Sequence, residues 1–272
     1  MSTTEAPLPL AAEATTPTGS TWIGRRTILA ALRSELIKTT TVRSTGVLVA
    51  GSALVGLLTS SAIAVFVADE GRTVTDVFLF PMVLTAVLAA IAGILVITSE
   101  VQHGTLAASF TAHPSRWPVV AAKIGVTAGF GFVLGLIGTI AGFAGAVLGG
   151  LEVGDTSGVT AQVLWGLLYT VGAGLLGLGV GMVVRHSAGA ISGLLVWWLV
   201  VEGLVVSFAP PETARFMPFD TGFRTLGVET GMDVPEVVAA GLSNPLHASI
   251  FWGYVVTALV LGAAVLVRRD AD

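Results

Sequence analysis

The residues able to do chemistry are few, and most reactive constellations fail on spacing. A GxxxxGK[ST] phosphate loop needs a Lys preceded by Gly. The two lysines are Lys38 after Ile37 and Lys123 after Ala122, so ATP hydrolysis by that route is excluded. The four histidines, His103, His113, His186 and His247, are scattered, and neither an HExxH metal pair nor a GxSxG nucleophile elbow occurs. Cysteine is absent, which removes disulfides, thiolate metal sites and cysteine nucleophiles. The expectation is a chain with no catalytic residues, no metal ligands and no cofactor of its own.

Two polar features remain. Glu202 is the one clear ionisable residue inside the apolar run LLVWWLVVEGLVVSFA, where a carboxylate is costly unless paired, protonated or hydrated. A proton or cation relay, a structural cap toward a neighbouring helix and a shallower placement, eight residues before Pro210, are all open to it. The second feature is TSEVQHGTLAASFTAHPSRWPVVAAK, residues 98–123. It carries Glu100, Gly104, Thr105, Arg116 and Lys123, and Leu106 and Phe110 give a short helix an apolar face that Pro114 would end. Such a segment could slot into a groove on another protein. It could equally be an interfacial turn anchored by Trp117.

The elements that must position these residues follow from composition. Of 272 residues, 54% are hydrophobic and only 11% charged, with a mean hydropathy of +0.89. An ordinary soluble domain carries about 25% charge, so a water-exposed surface is out of reach and the chain belongs in a bilayer. Six apolar runs, 46–68, 77–98, 124–150, 161–184, 189–209 and 248–267, each reach the roughly 20 residues a spanning helix needs. None shows the strict alternation of a barrel strand. The expected fold is an all-α integral membrane protein with six transmembrane helices and an N-terminal interfacial amphipathic helix.

Charge placement orients it. In a six-span arrangement Arg25, Arg26, Arg33, Lys38, Arg43, Arg116, Lys123, Arg185, Arg268 and Arg269 fall on one side, and only Arg72, Arg215 and Arg224 on the other. The first side is expected to be cytoplasmic, with both termini inside a multi-pass plasma-membrane protein. No basic face is large enough to engage nucleic acid.

Residues 1–21 read as a disordered cytoplasmic tail, without the basic n-region of a signal peptide. Residues 22–43 read as an amphipathic helix with Ile28, Leu29, Leu32 and Leu36 on its apolar face. The six-helix domain would then occupy 44–269. In the outer loop, 210–247, Asp233, Glu236 and Gly241 bracket a short helix. Glycines four apart, Gly125/Gly129, Gly131/Gly135, Gly138/Gly142, Gly145/Gly149 and Gly177/Gly181, are candidates for close helix packing.

The chain resembles the membrane subunits of ABC-type exporters, the type-2 ABC permeases, and particularly their six-span actinobacterial members. RSELIKTTTVRSTG is similar to the family's opening before the first span, matched by Glu35, Lys38 and Arg43. The loop after the second span matches at Glu100, Gly104, Thr105, Pro114, Arg116 and Lys123. The order of spans, with a long outer loop before the last, is also similar. The resemblance implies that residues 22–43 form a connecting helix along the inner leaflet. It implies that 99–123 form a coupling helix, with Glu100, Gly104, Thr105, Leu106, Phe110 and Arg116 docking on a separate ABC ATPase subunit. ATP and Mg would be bound there, and a second permease copy or paralogue would complete a dimer in the lipid bilayer. The outer loop would be an extracellular or re-entrant cap. Alternatives from other classes are an ion-coupled secondary transporter using Glu202 and a non-transporting membrane scaffold.

Overall fold

The computed structural model describes residues 20–67, 71–105, 117–227 and 242–268, with side chains from residue 30 onward. The expected tail, Leu106, Phe110, Pro114, Arg116, Arg269 and the short helix around Asp233 to Gly241 lie outside the described residues, apart from the last two positions assigned to the tail.

Among the described residues the secondary structure is helical, without strands. Helix α1 is Ser20–Thr41, and α2, Arg43–Phe66, is the first apolar helix. A one-turn helix α3, Val74–Val77, precedes α4, Met82–Gln102. Then come α5, Trp117–Leu148, and α6, Val159–Val184. Helix α7, Ser187–Phe208, includes a π-helical stretch at Trp197–Glu202. Two short helices, α8 (Pro211–Ala214) and α9 (Pro218–Arg224), lead toward α10, Asn244–Arg268. Helices α2, α4, α5, α6, α7 and α10 are each long and apolar enough to cross a membrane, as the six runs predict.

Their boundaries differ from the hydropathy reading in one consequential place. The third apolar helix begins at Trp117, seven residues earlier than expected, and therefore contains Lys123. The alternating direction of the six spans puts α1, the α4–α5 connection and the end of α10 at one end of the bundle, here the near end. Helices α3, α8 and α9 lie at the far end.

Helices α4 and α6 form the centre and pack against each other more extensively than any other pair. Small residues make this possible, because in lipid the hydrophobic effect does not drive helices together and close van der Waals contact must. A methyl group on Gly177 would overlap the Ala90 carbonyl, and Gly181 lies against Ile94 and Ile97. Helix α5 packs on α6 through Gly131 and Gly135, which meet Thr170, and Gly138 meets Thr85 of α4. Gly142 abuts the Phe78 carbonyl, and Gly145 and Gly149 abut α2. The pair Gly125/Gly129 behaves differently: Gly125 faces Leu32 of α1, and nothing lies near Gly129. Fourfold glycine spacing thus marks helix contacts over most of α5 and α6.

Helix α1 docks on α5. Its buried stripe is Ala31 and Glu35, with Leu32 against Gly125, whereas Leu36 is 52% exposed. The expected apolar face is therefore rotated. The reason is electrostatic, since Glu35 turns inward to meet a buried ammonium group.

Candidate functional site: a four-charge cluster at the near end

Three helices converge on four ionised side chains. Helix α1 supplies Glu35 and Lys38, which share a face because they are three residues apart. The last turn of α4 supplies Glu100 and the second turn of α5 supplies Lys123. Lys38 Nζ donates to Glu35 Oε1 at 2.9 Å and to Glu100 Oε1 at 2.7 Å. Lys123 Nζ donates to Glu35 Oε2 at 2.9 Å and pairs with Glu100 Oε2 at 2.8 Å. Each carboxylate bridges both ammonium groups, so the four charges alternate around a ring and sum to zero.

Burial makes this geometry necessary. The Lys123 side chain is 0% exposed, and Glu35 and Glu100 are nearly as buried. An isolated charge in such surroundings costs several kcal/mol or loses its charge. Two carboxylates per ammonium supply the compensation. Lys38 lies at the outer edge, its side chain 42% exposed. Burial pushes its ammonium pKa down, but hydrogen bonds to Glu100 and Glu35 outweigh that and raise it above the ordinary lysine value of 10.5. The cluster holds fixed protons and opposite charges in contact. It contains no unpaired base or nucleophile and reads as a fastening between α1, α4 and α5.

The chain matches no protein-family model and no curated protein.

The structure joins residues that the sequence placed in separate stretches. Glu35 and Lys38, before the first span, meet Glu100 and Lys123, which bracket the loop after the second. Lys123 lies in a helix and not in the loop that hydropathy assigns it to; its hydrophobic flanks, VVAA before and IGV after, are the sequence sign of burial. Arg43 does not join the cluster and stands exposed at the start of α2. Gly104 adopts φ +66° directly after α4, with its N–H bonded to the Val101 carbonyl, so it ends the helix in a conformation glycine favours. Thr105 is exposed and its hydroxyl points to the Glu100 carbonyl at 3.4 Å. Gln102 accepts a 3.0 Å hydrogen bond from Ser187, tying α4 to the start of α7.

Glu202 sits at the opposite end. The π-helical stretch turns it inward, to 3% exposure, while Leu199 and Leu204 face outward. Its carboxylate accepts from Trp197 Nε1 at 2.9 Å, from the Phe219 N–H at 3.1 Å and from the Asp220 N–H at 3.1 Å. Phe219 and Asp220 open α9, so Glu202 caps that helix from another element. Tyr169 strengthens the same corner, its hydroxyl donating to the Phe219 carbonyl at 3.2 Å and its ring edge-on to Phe251. Of the roles open to Glu202, the geometry is that of the structural cap. Helix α9 in this loop, carrying buried Phe219, Thr221 and Gly222, had no clear sequence signal beyond Pro218 at its start.

Proposed function

We propose that the chain is the permease subunit of an ABC-type exporter, powered by a separate ATPase subunit that binds at the near end. The observation carrying this reading is the four-charge ring. It fastens the helix preceding the first span to both edges of the loop between the second and third. A force applied to that loop therefore reaches α1 through Glu100 and Lys123 without relying on flexible connections.

On this reading the near end is cytoplasmic, because most basic residues collect there. Helix α1 lies along the inner leaflet, with Leu36 and Ile37 turned toward lipid. Gly104 and Thr105 begin the ATPase-docking segment that continues through Leu106, Phe110 and Arg116, while Glu100, buried in the ring, ties that segment to α1 instead of touching the partner. The partner holds ATP and Mg. A second copy, or a related permease, pairs with this one in the plasma membrane through apolar outer faces such as those of α2 and α7.

The test is co-expression with candidate ABC ATPase subunits from the same genome, followed by reconstitution into sealed vesicles. Stable association and ATP-dependent flux are expected. In Gly104→Pro, insertion and folding should persist while ATPase stimulation falls at least fivefold. Flux driven by an ion gradient without ATP, and lost in Glu202→Gln, would identify a secondary transporter instead. Partner binding without any flux would identify a scaffold.

A further inference from the structure

Beside the charge ring, a cavity of about 580 Å³ opens between α1, α2, α4 and α5. That lies within the roughly 300–1,000 Å³ of small-molecule sites. Its two ends differ in chemistry. At the mouth stand Lys38, Thr45, Ser99 and His103; deeper, the walls are Leu48, Ala92, Leu95 and Phe130. Ala92 lies eight residues before Glu100 on the same helix, so the apolar part extends about 12 Å into the bundle. The mouth is level with the first turn of α2 and the last turn of α4, where the apolar spans begin and end.

We infer that this cavity binds one acyl chain of an anionic membrane lipid, with the lipid phosphate at Lys38. Shape and charge both support this assignment. A polar mouth at the level of the span ends, over a slot of aliphatic and aromatic side chains, matches an amphiphile lying in a leaflet. Glu35 and Glu100, although they line the cavity, are nearly buried and each already bridges both lysines. The exposed charge at the mouth is the Lys38 ammonium, and Arg43 stands exposed between the lining residues Val42 and Ser44. The Ser99 and Thr45 hydroxyls commit their protons to backbone carbonyls, so the donors left for a headgroup are the third Lys38 proton and the exposed Arg43 guanidinium. This inference concerns a binding site and does not depend on the transport reading.

Native mass spectrometry of the full chain in a neutral maltoside detergent tests it, with oleoyl lysophosphatidic acid and oleoyl lysophosphatidylcholine as probes. The anionic lysophosphatidic acid should bind about tenfold tighter than the zwitterionic lysophosphatidylcholine, whose phosphate is offset by its choline, equivalent to about 1.4 kcal/mol. Leu95→Trp fills the slot without touching any charge and should abolish binding of both lipids at unchanged thermal stability. Lys38→Gln should erase the preference and Lys38→Arg should keep it. Equal affinity for the two lipids, or full binding in Leu95→Trp, would overturn the assignment. So would competition by millimolar inorganic phosphate as effective as that by the lipid itself, because it would reduce the site to one for a free anion.

Discussion

Lys123→Met isolates the energetics of the charge ring. The substitution keeps side-chain length and apolar packing but deletes a cation that is 0% exposed. Glu35 and Glu100 are then left sharing Lys38 alone, one surplus negative charge in a buried setting. Breaking a buried pair by removing one partner costs about 3–5 kcal/mol. Glu35→Gln has the mirror effect, leaving Lys123 with a single carboxylate and a surplus positive charge. The double variant restores neutrality, because Lys38 and Glu100 still face each other at 2.7 Å. Its cost should therefore fall short of the summed single costs by about 2 kcal/mol, within the span measured for contacting groups. Unfolding by sodium dodecyl sulfate from mixed micelles, followed by far-UV circular dichroism, reads all four members of the cycle. Additivity within about 0.5 kcal/mol would refute the ring as a coupled unit and reduce it to independent pairs.

Other outcomes follow from the same physical terms. Gly177→Ala should destabilise the bundle by about 1–3 kcal/mol, since its methyl overlaps the Ala90 carbonyl, whereas Gly129→Ala, with open space around it, should be neutral or stabilising by up to about 1 kcal/mol in the same unfolding assay. Glu202→Leu strands the N–H groups of Phe219 and Asp220 and the Trp197 indole, a loss of about 1–3 kcal/mol visible as a shifted tryptophan emission. The Lys38 pKa is raised by its carboxylate partners, so its contribution to α1 docking is complete at neutral pH and is lost as pH rises past 10.5 through the folded-state value. Amide exchange in α1 should accelerate in that alkaline window beyond its intrinsic rate, and Lys38→Arg should move the transition upward.

Much of the architecture was legible because bilayer physics compresses it into long apolar runs. All six spans were readable from length and hydropathy, and most of the fourfold glycine pairs in α5 and α6 do carry helix contacts. The charge ring was not readable in full. Glu35 with Lys38, and Glu100 with Lys123, occur as separate local features; the apolar flanks of Lys123 hint at its burial, but nothing in a one-dimensional pattern names its partners. Hydropathy averaging started the third run only after Lys123 because a paired charge scores as polar although the pair is accommodated inside. The rotation of α1 then follows, since the pull of Lys123 on Glu35 overrides the preference of Leu36 for burial. At the far end, Glu202 was conspicuous as an isolated acid, but its partners are backbone N–H groups that no side-chain pattern reports.

The contacts also divide the bundle by how firmly its parts are held. Helices α4 and α6 meet backbone to backbone, α5 joins both α2 and α6 through glycine, and the charge ring adds α1 at the near end. Those five helices have little freedom to slide, because each close approach tolerates no extra methyl group. Helix α7 is different. It touches α4 and α6 mainly through Ala190 and Leu194, it is the least buried of the spans, and a π-helical stretch interrupts it. Its firm attachments are the Ser187–Gln102 hydrogen bond at one end and the Glu202 cap at the other. On the proposed transport reading, a rearrangement that opens a path across the membrane is cheapest if α7 moves against this glycine-packed group. On that reading Glu202, which bonds α7 to the first turn of α9, would pass such a displacement to the far-end helices.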